Sequence, residues 1–374
     1  MSGFVFSEKP IGIERGEGAT LYADDGTEYL DFGASYAVTP VGHCHPRVVD
    51  AVQSQVEDLM YVQASYPVEA RTELYEKLAT VSPAGLDSVW LCNSGTEANE
   101  AAIKFARNAT GNGKIVATRR GFHGRTLGAL SMTWKDKYKK PFEPLVDGIE
   151  FVSYGDSEEL AEAVDEETAA VFLEPIQGEG GIHPADEAYL HAARSLTRKA
   201  GAALVFDEIQ TGVGRTGTLW ACEQAGVSPD ILTTAKGIAS GLPLGATVCA
   251  DWIAEADPEH GSTFSGGPVV CAAANATLDV VVEEDLPTRA ADVGRYLMES
   301  VEDADLPIRE VRGQGLMIGL EVKRGSNRLL RDLALNEQVL ALPAGRTVLR
   351  LLPPLIVGEE HADRFVEALE AVLG

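Results

Sequence analysis

Four short segments of the 374-residue chain hold residues whose types and spacing could do chemistry. Leu91-Cys92-Asn93-Ser94-Gly95-Thr96-Glu97 is an apolar strand end running into a Ser-Gly-Thr turn that opens a helix. Unpaired N–H groups at such a helix start, with the two hydroxyls, form a cradle for phosphate. Ser94 or Thr96 could equally act only as an N-cap. Leu204-Val205-Phe206-Asp207-Glu208-Ile209-Gln210 delivers Asp207 at the tip of another apolar strand. A carboxylate there could bind a metal, act as a base or pair with a ring N–H. No His or Cys lies nearby in sequence to complete a metal set, which argues for no metal. Asp230-Ile231-Leu232-Thr233-Thr234-Ala235-Lys236-Gly237 ends a third strand on a lone lysine. Burying its ammonium is costly, which lowers the pKa and suits imine formation; the alternative is a lysine snorkelling to a surface ion pair. Gly121-Phe122-His123-Gly124-Arg125-Thr126 offers an aromatic face, an imidazole and a guanidinium. Arg125 suits bidentate carboxylate capture, unless the segment is a plain surface turn.

A phosphate cradle, a carboxylate for a ring nitrogen, an imine-forming lysine and a stacking aromatic are together what pyridoxal 5′-phosphate needs. The elements that must position them read as an α/β protein. Residues 20–32 alternate around Asp24-Asp25-Gly26 and predict a hairpin. From Pro46, Val48, Val49, Val52 and Val56 share one helical face. Apolar strands at 88–91, 115–117, 169–173, 203–206 and 231–234 alternate with helices at 97–108 and 188–200, which implies a mostly parallel sheet covered on both faces. Ligands in such sheets sit beyond the carboxyl ends of the strands, where these segments fall. A small-residue helix at 272–282 leads to strands at 309–313, 316–322 and 347–352 and helices at 326–340 and 359–372. The expected organisation is an N-terminal segment 1–50, a large domain 51–279 and a smaller α+β domain 280–374, to which the N-terminal segment contributes.

Over nearly its whole length the sequence resembles the class III pyridoxal-phosphate aminotransferases of fold type I, most of all the acetylornithine and ornithine aminotransferase branch. The resemblance rests on an ordered series: Tyr29–Phe32 with Gly42–Pro46, Asn93–Glu100, Phe122–Thr126, Glu174–Gly181, Asp207–Gly212, His260–Phe264, Arg312–Met317 and Arg350–Pro354. It implies that Lys236 forms the imine and then moves the proton, that Asp207 holds the pyridinium N–H, and that Gln210 contacts the ring hydroxyl. It also implies that Phe122 stacks on the ring while Ser94, Gly95 and Thr96 hold the phosphate. Thr263 would reach that phosphate from the other subunit of a homodimer. Arg125, with Ser262 nearby, would take a substrate carboxylate. Glu179 and Arg350 would form a switch that admits both an ω-amino donor and a dicarboxylic acceptor. The family's usual Thr-Phe-Gly-Gly-Asn-Pro reads here Thr263-Phe264-Ser265-Gly266-Gly267-Pro268. His43-Cys44-His45 has the look of a metal triplet but reads as structural.

The implied reaction carries a terminal amino group to 2-oxoglutarate, giving a semialdehyde and glutamate. Residues 131–145 are similar to those of archaeal relatives that act on ornithine or lysine precursors attached to an acidic amino-group carrier protein. A 4-aminobutyrate or free-ornithine aminotransferase, or a semialdehyde aminomutase, would keep the same cofactor residues.

Charge limits the partners. Lys+Arg is 31 against Asp+Glu 57, a net charge of −26, so nucleic acid and anionic membrane would be repelled. Such acidity also suits a protein of high-salt surroundings, where self-repulsion is screened. Residues 119–140 are the exception: Arg119, Arg120, Arg125, Lys135, Lys137, Lys139 and Lys140 stand against Asp136 alone. That island could dock an acidic carrier, or could simply balance nearby acids. Five cysteines form no CxxC pair, and neither a signal peptide nor a membrane span is visible, so the expected location is the cytoplasm.

Overall fold

The computed structural model describes residues 9–374 apart from Arg324. The chain opens with antiparallel strands β1 (Ile13–Glu17), β2 (Thr20–Ala23) and β3 (Glu28–Asp31). The hairpin expected at 20–32 is β2–β3. Its turn closes through Gly26, at φ +87°, a left-handed conformation that glycine adopts without steric cost.

The central sheet gathers β4 (Ser88–Cys92), β5 (Lys114–Thr118), β6 (Ile149–Val152) and β7 (Thr168–Leu173). A short ribbon follows, β8 (Ile176–Gln177) against β9 (His183–Pro184), and then the sheet resumes with β10 (Ala203–Asp207), β11 (Ile231–Thr234) and β12 (Gly245–Cys249). The order across the sheet is β4-β12-β11-β10-β7-β5-β6. Only β12 runs antiparallel to its neighbours; the rest are parallel. Every residue of β7, β10, β11 and β12 is buried, as expected for strands with helices on both faces. Parallel pairing has one decisive consequence: the residues that follow β7, β10 and β11 emerge along the same sheet edge.

Helices Gly95–Thr110, Glu187–Ala200 and Pro268–Glu283 extend the sequence-based expectations by a few residues. The helix Pro46–Asp58 forms as expected, but of its valine face only Val48 is buried, and Val56 remains 41% exposed. The residues after it, Leu59, Met60 and Tyr61, are exposed as well.

The C-terminal region contains β13 (Ile308–Gln314), β14 (Met317–Val322), β15 (Val339–Leu340), β16 (Leu342–Ala344) and β17 (Val348–Leu351). Four of these form a sheet in the order β13-β14-β17-β16. The helix expected over 326–340 ends at Asn336. Gln338 takes φ +53°, and β15 then leaves to pair in parallel with β3, Val339 opposite Leu30. The apolar residues at 339–340 that seemed to continue the helix are core residues of a strand, because the N-terminal sheet offers them an open edge. A second core joins both chain ends, with Phe32 stacked on Phe365 at 4.8 Å between centroids. Among the described residues, no helix is long and apolar enough to cross a membrane.

Candidate active site

The shared strand edge opens into a cavity of about 440 Å³. Ser94, Gly95, Thr96, Phe122, Arg125, Glu179, Asp207, Gln210 and Lys236 all line it. Arg350 is fully buried beside it: its Nη2 donates to Glu179 Oε1 at 2.6 Å and its Nη1 to Gln210 Oε1 at 3.0 Å. The carbonyl of Gln210 is therefore held by Arg350, which fixes the side chain's orientation. Two expected residues are not brought in. Ser262 and Thr263 lie exposed in a separate surface depression with Gln63, Ala64 and Ser65. Asn93 Nδ2, 3.4 Å from Ser262 Oγ, links that depression to the cavity wall.

The helix Gly95–Thr110 points its start into the cavity. Ser94 is the N-cap, accepting from Glu97 N at 3.4 Å, so capping and cradle coexist. The first N–H groups of the helix have no acceptor within it and face the space a phosphate would need. A Cβ on Gly95 would stand 2.7 Å from Ile209 Cδ1, which is why this turn packs so closely on the loop after β10.

Asp207 ends β10 with its two oxygens unequally used. Oδ2 accepts from Asn99 Nδ2 and His123 Nδ1, both at 2.8 Å, while Oδ1 accepts only Ile209 N at 3.1 Å. Burial pulls the His123 imidazole down, but the hydrogen bond and charge of Asp207, with the charge of Glu174, carry it above its ordinary value. Lys236 is half-buried at the cavity wall, held at φ +46°, where a lysine backbone is strained. Burial, aided by the charge of Arg350, lowers its ammonium to about 8. Burial works against the Glu179 charge, yet the Arg350 charge and hydrogen bond outweigh it, so that carboxyl sits below its usual range. Arg125, exposed at the mouth, lies over the Tyr138 ring at 3.8 Å.

Three residues here received no role from the sequence. His123 and Asn99 together orient Asp207. Glu174 follows β7 and is buried, accepting Phe122 N at 3.0 Å and Gly178 N at 3.1 Å. It ties the loop of Phe122 to the loop of Glu179, and burial raises its carboxyl to about 7. Its signal was present: like Asp207 and Lys236, it is a charged residue at the end of an apolar strand. The His43-Cys44-His45 triplet lies elsewhere, with His43 Nε2 bound to Asp31 Oδ2 at 2.8 Å.

A phosphate-sized helix start, a carboxylate with a spare oxygen, a half-buried amine of lowered pKa and an aromatic ring thus share one cavity. Comparison with known proteins agrees: the family model for class-III aminotransferases matches residues 6–373. The chain belongs to this family. The chain is 46% identical over 374 residues to the [LysW]-aminoadipate semialdehyde transaminase of Deinococcus radiodurans, covering 99% of this chain and 87% of that protein. It is 45% identical to the acetylornithine aminotransferase of Methanosarcina acetivorans, covering 98% and 92%. Among solved structures, the ornithine aminotransferase of Toxoplasma gondii superposes with a TM-score of 0.93 at 33% identity, covering 98% of this chain and 91% of that one. The protein is an aminotransferase that depends on pyridoxal 5′-phosphate. The donor set fits that cofactor: Asp207 has an oxygen for a ring N–H, Lys236 is half-buried and partly neutral near pH 8, and a Cβ at Gly95 would disturb the helix start that faces the phosphate space.

Proposed function

We propose that this aminotransferase moves the terminal amino group of an N-blocked ornithine, N-acetylated or carrier-linked, or of the corresponding lysine precursor, to 2-oxoglutarate. The products are a semialdehyde and glutamate. The observation that carries this reading is the 2.6 Å pair of Glu179 and Arg350 beside a cavity whose mouth holds a second arginine, Arg125. A donor presenting only its terminal amine to the inner end leaves Arg350 neutralised. A dicarboxylic acceptor needs that guanidinium, so Glu179 gives way to it, and one cavity serves two unlike substrates. The names of the Deinococcus and Methanosarcina relatives support this choice of donor.

When bound, the cofactor supplies an electron sink for the bond broken at the amine-bearing carbon. The chain does the rest. Lys236 Nζ would carry the proton between that carbon and the cofactor, a task that suits an amine lowered to about 8. Asp207 would hold the ring N–H, oriented by His123 and Asn99. Phe122 stacks on the ring, Gln210 meets its hydroxyl, and Gly95 and Thr96 with the N-cap Ser94 hold the phosphate. Arg125 receives the substrate carboxylate.

A homodimer completes the site in this reading, with Thr263 of one copy reaching the other's phosphate. The exposure of Thr263 together with Met60 (68%) and Phe264 (63%) supports a face made for a second copy. An acidic carrier would dock on the island at 119–140. Within it Arg119 is paired with Glu159 and Lys140 with Asp136, while Lys137 lies 4.7 Å from the Tyr138 ring and Lys139 4.4 Å from that of Phe151. The Deinococcus relative is named for LysW-linked aminoadipate semialdehyde, which supports a carrier-linked donor.

An amino-donor panel with 2-oxoglutarate tests the reading, comparing N-acetylornithine, carrier-linked forms, free ornithine and 4-aminobutyrate. Preference for a blocked donor supports it; equal or better use of free ornithine or 4-aminobutyrate overturns it. Charge reversal at Lys137, Lys139 and Lys140 should weaken a carrier-linked donor far more than the acetylated one, and equal effects would remove the docking surface.

A further inference from the structure

Arg125, the cation at the mouth of the active-site cavity, is held by rings rather than by acids. Its backbone N–H donates to Thr96 Oγ1 at 3.3 Å, but among the described residues its guanidinium makes no hydrogen bond and no ion pair. The guanidinium carbon lies 3.8 Å from the centroid of the Tyr138 ring and 5.4 Å from that of Phe122. The two rings meet edge to face, 6.1 Å apart and at 85°. An arginine without a carboxylate partner is conspicuous in a chain with a net charge of −26.

The task of Arg125 explains this environment. A protein carboxylate would locate the guanidinium but would occupy the N–H donors that a substrate carboxylate needs. An aromatic face attracts the cation through its quadrupole and leaves the planar fork of donors free. Bidentate capture of an incoming carboxylate then breaks no existing ion pair.

The ring has its own support. Tyr138 belongs to the short helix Asp136–Lys139, and the residue just before that helix ties it to the site: Lys135 Nζ donates to the Glu179 carbonyl at 3.0 Å. Tyr138 is half-buried and Arg125 exposed, so the ring is the better-fixed member of the pair. Lys137 Nζ stands 4.7 Å from the centroid of the same ring, farther away than Arg125.

We propose, on the reading that Arg125 receives the substrate carboxylate, that Tyr138 is the positioning residue that presets its guanidinium. A long side chain left without that face would lose more rotamer freedom on binding. The loss then falls on substrate affinity and not on the chemical step.

Steady-state kinetics of the holoenzyme with N-acetylornithine and 2-oxoglutarate test this in Tyr138→Leu, Tyr138→Phe, Arg125→Gln and the double variant Tyr138→Leu/Arg125→Gln. Tyr138→Leu should raise KM for 2-oxoglutarate about fivefold, in the range for a cation held on a ring, with little change in kcat. Tyr138→Phe keeps the face and should restore most of that affinity. Arg125→Gln should raise KM further, and in that background removing the ring should add nothing. Four outcomes would overturn the role of Tyr138 while leaving that of Arg125 in place: an unchanged KM in Tyr138→Leu, an equal rise in Tyr138→Phe, additive effects in the double variant, or a fall in kcat and cofactor absorbance without a change in KM. A wild-type KM in Arg125→Gln would overturn both.

Discussion

His123 Nδ1 stands 2.8 Å from Asp207 Oδ2, although 84 residues separate the two in sequence. Both are buried, and Asn99 reaches the same oxygen from the helix Gly95–Thr110. The carboxylate is thereby oriented through Oδ2, while Oδ1 accepts only Ile209 N. Replacing His123 by Phe should leave the fold intact and lower kcat by about a hundredfold, the lower end of the range for groups that serve proton transfer. Steady-state kinetics with a cofactor-binding isotherm check this; wild-type values for both would show that the contact only fills space.

Lys236 leads to a pH prediction. Its ammonium is lowered to about 8, by burial first and the charge of Arg350 second. Only the neutral amine captures an aldehyde, so cofactor uptake by the apoprotein should accelerate with rising pH and level off above about 8. Removing the guanidinium in Arg350→Gln should move that midpoint upward, since one cause of the depression is gone. The rise of absorbance near roughly 400–430 nm, characteristic of the lysine–cofactor imine, follows the reaction.

Glu174 adds a stability dependence of known sign. Its folded-state carboxyl is raised from the ordinary 4.5 to about 7. Between those values the folded protein binds more protons than the unfolded chain, so this group's contribution to stability falls as pH rises from about 4.5 to 7. The full effect is on the order of 3 kcal/mol at one unit per 1.4 kcal/mol. Glu174→Gln cannot ionise and should lack this component. Thermal unfolding of both proteins at pH 5 and pH 8 isolates it, with the wild type losing more on the way up.

Gly95 has no room for a side chain. A Cβ would come within 2.7 Å of Ile209 Cδ1, so Gly95→Ala requires the Ile209 side chain or the helix start to shift. We expect cofactor affinity to fall about tenfold, equivalent to ~1.4 kcal/mol. Equilibrium dialysis of the cofactor measures it directly.

The net charge of −26 implies strong self-repulsion when salt is low. If the acidic surface is an adaptation to salt, melting temperature and activity should rise between dilute buffer and roughly 1 M salt, where the Debye length shrinks to about 3 Å. A flat response would mark it as an ordinary acidic surface.

The chemistry of this protein was legible in the chain because strand ends announce themselves locally. Apolar runs that stop at Asp207 and Lys236, and a Ser94-Gly95-Thr96 turn opening a helix, are patterns of a few residues, and burial makes their polar ends informative. Hairpin, sheet class and most helices followed from the same short-range periodicity. What only the tertiary structure decided depends on residues far apart: Arg350 against Glu179, His123 and Asn99 on Asp207, and Glu174 joining two loops. The strand at Val339–Leu340 belongs to the same class, since its helix-like apolarity was overruled by an open edge contributed by the N-terminus. Periodicity records which face of an element is buried. Which elements meet across that face depends on sheet order and strand direction, and parallel crossovers bring together ends that no local pattern encodes.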